Sequence, residues 1–542
     1  MQKRLIAVYG ACLFLFMVLL CSIWNVSVNA SYAATVERQT TRELSFYHGR
    51  GDFYDRNGAL LTGLQRRVYT VAQPGGEGYQ ELFDLVSEED RETLYLESFK
   101  LNPFLVEILK STENLLCFEK PVRYGDYPIA VHTIGYINGA GDGVDGAEKA
   151  FDGILKRGGD SSSILCRVCA NGKIQIGSEP TEYLEQGTHE GIRLTLDADI
   201  QRICEDVAAA LLPRGAIVVL ESSTAKVLAN VSMPQYDPEN VQESIRKQDT
   251  ALLDRTVSAY NVGSVFKPFL AALALEEGID PAETYECRGY IEVNGHIYEC
   301  AHQTAHGVVD MQGALEKSCN CYFIQLGKKL DLDRLCDMAA LLGFGEATPL
   351  GGGLAAAAGY FPTRETLNNT GELATFSFGQ GQLLATPIQI AAYFNTFAND
   401  GVYLSPTLAQ GIQDTDTGAL TEDWYHPSKI RLLSGTNNEK LKQMLIGVVE
   451  EGLAKKAKPA FETAAGKTGT AQTGRFGKDE NGDRTELYNS WFAGFYPAEN
   501  PRYTIVILKD DVTRASDDCT EIFAQLCNRL YFYDELWKEE NA

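Results

Sequence analysis

The N-terminal end of the chain carries an uninterrupted apolar segment. Residues 5–26 contain no charged side chain over a length of 22 residues, and Lys3 and Arg4 precede them. A helix of that length spans the apolar core of a bilayer, and basic flanking residues favour the cytoplasmic side. The pattern predicts a single-pass cell-membrane anchor, residues 1–28, with a cytoplasmic N-terminus and the remaining chain outside. A cleaved signal peptide ending near residues 28–34 is the alternative, although its apolar region typically has only about 7–15 residues.

The next part of the chain divides into a polar stretch and a folded region. Residues 29–47 are polar and mixed, which is typical of a stalk. Residues 48–190 combine short alternating stretches, a helical patch over residues 88–109 and a glycine-rich segment, residues 135–153, that predicts loops and turns. No set of residues in this region suggests catalysis. It is therefore predicted to be a non-catalytic N-terminal module, resembling a pedestal or a dimerisation domain.

The last region, residues 191–542, mixes helical and strand patterns. Apolar residues recur at helical spacing over residues 200–211, 264–277 and 520–537. Strand patterns cover residues 216–220, 226–231, 463–473, 490–496 and 503–509. Strands at both ends with helices between them predict an α/β (α+β) domain with one sheet flanked by helices.

Composition narrows the classes of function. The 542 residues are 44% hydrophobic and 22% charged, as in ordinary globular proteins. The net charge of −25 argues against a nucleic-acid partner, because phosphate binding needs a basic face. The apolar anchor makes the membrane itself an expected partner.

Three short motifs occur in order in the last region. They are S-x-x-K at residues 264–267, S-x-N at residues 318–320 and the single K-T-G of the chain at residues 467–469. S-x-x-K also matches at Ser223, in the predicted hairpin turn, and at Ser244, in a polar run. Ser264 instead follows Gly263 and opens an apolar helical stretch, and this context favours Ser264 as the functional serine.

The residue types of the motifs suit nucleophilic catalysis. The hydroxyl of Ser264 needs a neighbouring base, and Lys267 lies three residues away on the same helix face. A lysine acts as a base when burial or a second cation, here Lys467, lowers its pKa. Ser318 is predicted to relay the proton toward the leaving amine. Asn320 is predicted to fix the lysine and to hold the substrate amide.

Residues 467–470 resemble an edge strand that is open to an added peptide. Gly469 is predicted to let a substrate backbone approach closely. The hydroxyls of Thr468 and Thr470 suit a terminal carboxylate. Backbone N–H groups of Ser264 and Thr470 are predicted to form an oxyanion hole, an element whose loss typically costs roughly 100- to 1000-fold in rate.

The ordered motifs resemble the signature of penicillin-binding proteins and serine β-lactamases. The finer resemblance is to class B penicillin-binding proteins, the monofunctional peptidoglycan D,D-transpeptidases, and covers most of the chain after the anchor. The segments that carry it are residues 50–58, 132–136, 146–148, 195–201, 379–381, 386–389 and 491–494. The resemblance implies a penicillin-binding transpeptidase domain with a central antiparallel sheet in residues 191–542.

The resemblance also implies an activity. Ser264 would be acylated by D-Ala-D-Ala stem peptides, from lipid-linked precursor or existing wall, and would cross-link them. β-Lactam antibiotics would trap the acyl-enzyme, no cofactor would be needed, and a SEDS-family membrane glycosyltransferase would be a partner. The alternatives are a D,D-carboxypeptidase or β-lactamase-type hydrolase, which share the motifs, and a β-lactam sensor without turnover.

Cysteines and histidines crowd the segment before and within the second motif. They are Cys287, His296, Cys300, His302, His306, Cys319 and Cys321. A zinc site from Cys300, His302 and His306 is conceivable from the residue types. The family resemblance instead implies a disulfide between Cys287 and Cys300, in a compartment where disulfides persist. Free thiols are the remaining alternative, and no metal is expected.

Overall fold

The structure is a computed structural model. It describes residues 2–28, 40–76, 78–112, 115–247, 250–479, 481–514 and 518–540. The chain forms two compact units, each made of separate segments. The smaller unit contains Met1–Arg50, Gly63–Gly125 and Arg157–His189, and the larger contains Gly51–Thr62, Asp126–Lys156 and Glu190–Ala542. The boundaries at residues 47 and 190 stay predictions from the sequence. Two segments on the N-terminal side of residue 190 belong to the larger unit.

The apolar N-terminal segment forms a helix, Gln2–Val28. Its stretch Lys3–Val28 is long and apolar enough to cross a membrane, and none of it is buried. The helix therefore fits the predicted single-pass anchor. Residues 29–39 of the predicted stalk lie outside the described residues, and Thr41–Tyr47 of the same stretch is a strand.

The smaller unit contains two three-stranded antiparallel sheets. One is formed by Thr41–Tyr47, Ser161–Arg167 and Thr181–Glu185, and the other by Phe104–Ile108, Gln65–Ala72 and Cys117–Val122, each in spatial order. A helix, Glu88–Glu97, begins where the Ser87 hydroxyl accepts the Asp90 N–H. The predicted helix over residues 88–109 is wrong beyond Glu97. Pro103 cannot continue a helix, and the residues after it pair as a strand.

The larger unit is built on a five-stranded sheet that is antiparallel throughout. Its spatial order is Val227–Met233, Gly215–Glu221, Tyr503–Val512, Arg484–Tyr496 and Ala465–Lys478. Helices Ala198–Leu211 and Pro387–Ala398 pack against its strands. The central strands are apolar along nearly their whole length, because helices cover them. The predicted sheet flanked by helices is therefore confirmed.

The remaining elements complete the larger unit. Its other helices are Val131–Ile134, Gly146–Ala150, Asp152–Gly158, Val241–Lys247, Lys267–Glu276, Met311–Glu316, Asn320–Gly327, Leu332–Leu341, Arg364–Leu367, Thr370–Phe376, Gly435–Glu450 and Thr520–Glu540. A second sheet contains Phe53–Tyr54, Glu190–Leu194, Ala409–Asp414 and Leu420–Asp423. Two-stranded pairs are Tyr260–Asn261 with Leu384–Ala385, Tyr285–Cys287 with Gly307–Val309, Tyr290–Val293 with His296–Glu299, Thr348–Gly351 with Leu354–Ala356, and Val402–Leu404 with Lys429–Arg431.

One further expectation about local structure is corrected. The glycine-rich segment 135–153, predicted as loops and turns, contains the helix Gly146–Ala150 and the start of Asp152–Gly158. Ala147 and Glu148 are fully buried in this helix. Burial of such a short helix by its surroundings outweighs the low helical propensity of glycine.

Candidate active site

The serine of the first motif lies in a tight turn that precedes its helix. A 3₁₀ turn, Gly263–Phe266, leads into the helix Lys267–Glu276. Gly263 has φ +68°, and a Cβ there would lie 2.6 Å from the Thr470 carbonyl oxygen. Only glycine fits this position, because the turn lies directly against the third motif. The half-buried Ser264 is thereby placed beside the edge strand of the sheet.

Lys267 joins the first motif to the second. Its side chain is fully buried. Its Nζ donates to the Ser318 carbonyl oxygen at 2.8 Å, to Asn320 Oδ1 at 2.7 Å and to Ser318 Oγ at 3.1 Å. Burial lowers the pKa of Lys267 to about 8. A substantial neutral fraction near physiological pH gives this amine the capacity to accept a proton.

The second motif is held in a strained conformation. Ser318 has φ +51°, a left-handed value that costs a residue with a side chain about 1–2 kcal/mol. Asn320 begins the helix Asn320–Gly327, and its Nδ2 donates to the Glu299 carbonyl oxygen at 2.9 Å. This contact turns the amide oxygen toward Lys267. Strained residues of this kind gather at sites where geometry serves function.

The third motif lies on the edge strand of the five-stranded sheet, Ala465–Lys478, as predicted. Lys467 is fully buried, and its Nζ donates to the Thr468 carbonyl oxygen at 3.1 Å and to Thr468 Oγ1 at 3.5 Å. Burial, and then the positive charge of Lys267, hold the pKa of Lys467 well below its ordinary value. The charge of Lys267 thus acts on Lys467, whereas burial is what lowers the pKa of Lys267. The predicted lowering of the Lys267 pKa by Lys467 stays a prediction.

Gly469 brings the strand against the serine turn. A Cβ at this position would lie 2.9 Å from Val265 Cγ1 and 3.0 Å from the Val265 nitrogen. The close neighbour of this glycine is therefore the chain itself, whereas the sequence suggested an approaching substrate. Thr468 and Thr470 alternate with the buried Gly469 and are half-buried. Their hydroxyls lie on one face of the strand, as their proposed contact with a carboxylate requires.

Other contacts tie the motifs together and were assigned no role from the sequence. The Gly263 N–H donates to the Gly379 carbonyl oxygen at 2.8 Å. Gln380 Nε2 donates to the Thr470 carbonyl oxygen at 3.4 Å. The G-Q-G segment at residues 379–381 could be recognised in the sequence, but the residues that it contacts could not be predicted. The sequence could not single out the Glu299 carbonyl, because every residue carries a main-chain carbonyl group.

The predicted disulfide pair is close but not bonded. Cys287 Sγ and Cys300 Sγ lie 3.7 Å apart, and a disulfide bond is about 2.05 Å long. Both are free thiols in the structure. His302, one residue of the conceivable zinc set, is exposed, whereas His306 Nδ1 lies 3.5 Å from Cys287 Sγ. The disulfide stays a prediction.

Comparison with known proteins extends these observations. The family described as the penicillin binding protein transpeptidase domain matches residues 215–528. Stage V sporulation protein D of Bacillus subtilis is 26% identical over 94% of this chain and 82% of its own length. Peptidoglycan D,D-transpeptidase MrdA of Acinetobacter baumannii is 25% identical over 91% of this chain and 81% of its own.

Solved structures agree on the fold. Penicillin binding protein 3 of Mycobacterium tuberculosis, complexed with aztreonam, matches 91% of this chain and 97% of its own with a TM-score of 0.65 at 24% identity. A chain of a peptidoglycan synthase complex that coordinates polymerization and crosslinking matches 97% of both chains with a TM-score of 0.67 at 24% identity. The fold of this chain therefore belongs to a known architecture.

Proposed function

Because the chain belongs to the penicillin-binding protein transpeptidase family, we propose that it is a serine-type peptidoglycan D,D-transpeptidase whose nucleophile is Ser264. One observation carries the assignment of the site. Buried Lys267 begins the helix that follows the serine turn, and its Nζ contacts both Ser318 and Asn320. A desolvated lysine in contact with a second serine is the arrangement that activates a hydroxyl nucleophile.

In the acylation step, Ser264 Oγ attacks the carbonyl carbon of the penultimate D-alanine. Its proton passes to the neutral amine of Lys267, and the C–N bond to the terminal D-alanine breaks. Ser318 Oγ, 3.1 Å from the lysine nitrogen, relays the proton to the departing amine. Backbone N–H groups of Ser264 and Thr470 stabilise the negative charge that develops on the carbonyl oxygen.

The substrate lies along the edge strand in this proposal. The strand is the outer strand of its sheet, and an extended peptide can pair with such a strand. The Lys467 ammonium and the hydroxyls of Thr468 and Thr470 take the terminal carboxylate. Binding a carboxylate offsets the cost of burying the Lys467 ammonium.

The second half of the reaction distinguishes a transpeptidase from a hydrolase. An amine of a neighbouring stem peptide attacks the ester carbonyl and restores Ser264, whereas a carboxypeptidase or β-lactamase admits water instead. The name of the MrdA relative supports transfer. The neighbour that is complexed with aztreonam supports binding of β-lactams by this chain.

The location and partner of the catalytic unit follow from the anchor. The helix Gln2–Val28 with Lys3 and Arg4 at its start supports a cytoplasmic N-terminus and a catalytic unit outside the cytoplasm. The neighbour from a peptidoglycan synthase complex supports pairing with a polymerising membrane glycosyltransferase, of the SEDS family by resemblance. Failure of the two to co-purify in mild detergent would count against this pairing.

Covalent labelling tests the nucleophile. The full chain in detergent is incubated with a fluorescent penicillin, and label is followed over hours. We expect stable label on the wild type and none on Ser264→Ala. Ser223→Ala and Ser244→Ala are matched controls, because both serines begin an S-x-x-K pattern. Equal label on Ser264→Ala would refute the assignment, and label lost within seconds would indicate a β-lactamase.

Product analysis tests the transfer step. The chain is supplied with a D-Ala-D-Ala stem-peptide donor and an amine acceptor, and products are identified by mass spectrometry. Cross-linked peptide that depends on Ser264 supports the transpeptidase. Release of D-alanine with no cross-linked product would identify a carboxypeptidase.

A further inference from the structure

A cluster of sulfur and imidazole groups lies immediately beside the second motif. Cys287, Cys300, His306 and Cys319 bring one ligand atom each to within 4.8 Å of all the others. The three cysteines are buried and the histidine is half-buried. They come from four places in the chain. Cys287 ends the strand Tyr285–Cys287, Cys300 follows the strand His296–Glu299, His306 precedes the strand Gly307–Val309, and Cys319 precedes the helix Asn320–Gly327.

The spacing of these atoms matches the edges of a metal-centred tetrahedron. With about 2.3 Å from zinc to sulfur and about 2.0–2.1 Å to nitrogen, two sulfurs lie about 3.8 Å apart, and a sulfur and a nitrogen about 3.5 Å apart. Cys287 and Cys300 have their sulfurs 3.7 Å apart, and Cys300 and Cys319 3.9 Å. His306 Nδ1 lies 3.5 Å from Cys287 Sγ. Three of the six distances between the ligand atoms thus match the edges of the tetrahedron, and all six are within 4.8 Å.

Main-chain N–H groups reach two of the sulfurs. The Gly289 N–H donates to Cys287 Sγ at 3.4 Å. Cys319 is the N-cap of the helix Asn320–Gly327, and its sulfur accepts the Tyr322 N–H at 3.5 Å. Backbone N–H groups and a helix N-terminus both stabilise negative sulfur.

We propose that Cys287, Cys300, His306 and Cys319 bind one zinc ion as a structural Cys₃His site. Binding releases three thiol protons to solvent, and the neutral imidazole ligates through Nδ1. Four protein ligands fill the tetrahedron, so the ion has no open position for water or substrate. Cys321, whose sulfur lies 3.5 Å from Cys300 Sγ, stands beside this set without completing it.

The site would hold the second motif in its working position. Cys319 is the central residue of that motif, between Ser318 and Asn320. Cys300 directly follows Glu299, whose carbonyl oxygen accepts the Asn320 amide. One ion therefore fixes both ends of the contact that aims Asn320 at Lys267. Loss of zinc would loosen the motif, and groups that support a site in this indirect way typically contribute about 10- to 100-fold to activity.

Metal analysis tests the site without relying on catalysis. The full chain is purified in mild detergent without chelator, and metal is counted by plasma mass spectrometry. We expect about one zinc per wild-type chain and at least a tenfold loss in Cys287→Ser and His306→Ala. Cys336→Ser is the matched control, because Cys336 lies outside the cluster in the helix Leu332–Leu341. Zinc below a tenth of an equivalent in the wild type would overturn the proposal.

Thiol protection gives a second readout on the wild type, in case the variants do not fold. We expect the cluster cysteines to resist a maleimide in the native chain and to react once a chelator is added. Reconstitution with Co²⁺ should then restore protection and give a thiolate-to-cobalt absorption band. Protection that is lost only with a reductant, together with a Cys287–Cys300 cross-linked peptide, would show the disulfide and exclude the zinc site.

Discussion

The two walls of the site are held by different forces. The strand wall, Ala465–Lys478, is paired by main-chain hydrogen bonds to Arg484–Tyr496 along most of its length. The loop wall consists of the second motif and the cysteine segment, residues 285–320, which contains short strand pairs and the short helix Met311–Glu316. There, side chains make the decisive contacts, such as Asn320 with Glu299 and Lys267 with Ser318.

This difference predicts how each wall responds to change. Main-chain pairing does not depend on side-chain identity, so the strand wall tolerates most substitutions that do not clash. The loop wall depends on particular side chains and on whether its thiols are free, joined in a disulfide or bound to a metal. We therefore expect most substitutions on the strand wall to leave the catalytic geometry unchanged. On the loop wall, the geometry should depend on particular side chains and on the thiols.

The two buried lysines give the sharpest contrast, because Lys267 contacts the loop wall through Ser318 and Lys467 lies on the strand wall. We expect Lys267→Met to lower the rate constant of penicillin acylation by about 1000-fold or more, because the general base is lost. Lys467→Met should lower it by about 100-fold, because charge stabilisation is lost while the base remains. Stopped-flow labelling measures both. Equal losses would mean that the two lysines do not have separate roles.

A methyl group at Gly469 tests the contact between the strand and the serine turn. Gly469→Ala places a Cβ 2.9–3.0 Å from Val265, and we expect a loss of about 1–3 kcal/mol in unfolding free energy. Gly139→Ala is the matched control, because nothing lies within 4 Å of a Cβ there and its φ is ordinary. A melting temperature unchanged by Gly469→Ala would show that the strand wall does not press on the turn.

The pH dependence of acylation reports on Lys267. Burial lowers its pKa to about 8, and only the neutral amine accepts the serine proton. The acylation rate should rise about tenfold per pH unit below about 8 and level off above it. Because the unfolded pKa is 10.5, the contribution of this group to folding stability is complete above that value and is lost as pH falls through about 8. A flat profile from pH 6 to 9 would argue against Lys267 as the base.

The strain at Ser318 is the smallest of these effects. Glycine adopts φ +51° without penalty, so Ser318→Gly should be about 1 kcal/mol more stable than Ser318→Ala. Both variants lose the hydroxyl and should acylate more slowly than the wild type. Thermal unfolding compares the two. If the Ser318→Ala variant is as stable as Ser318→Gly, the backbone at residue 318 is not strained.

Much of the larger unit could be predicted from the sequence. The strands near residues 216–231 and 490–509 are confirmed, and their apolar runs form covered strands of the sheet. The strand predicted over residues 463–473 is confirmed as the edge strand. Ser223 lies in the turn between two of these strands, as expected. The helix predicted to begin at Ser264 instead begins at Lys267, because Gly263 in a left-handed conformation opens a tighter turn.

The division into units was less predictable. The smaller unit draws on three separate segments, and periodicity within each segment carries no information about which others it packs against. The same limit explains the cysteine cluster. Spacing suggested His302 as a companion of Cys300, whereas the folded chain brings Cys287, His306 and Cys319 together.

By itself the sequence determined the chemistry of the site, because a serine, two lysines and an asparagine in this order carry the reactive groups whatever their positions. It also determined the anchor and the sheet, since both follow from local apolar patterns. Only the tertiary structure decided which groups meet. Lys267 turns toward Ser318 and Asn320, Gly469 makes room for the serine turn, and three cysteines and a histidine converge behind the second motif. Such contacts join residues far apart in the chain, and their distances are set by the packing of the whole unit.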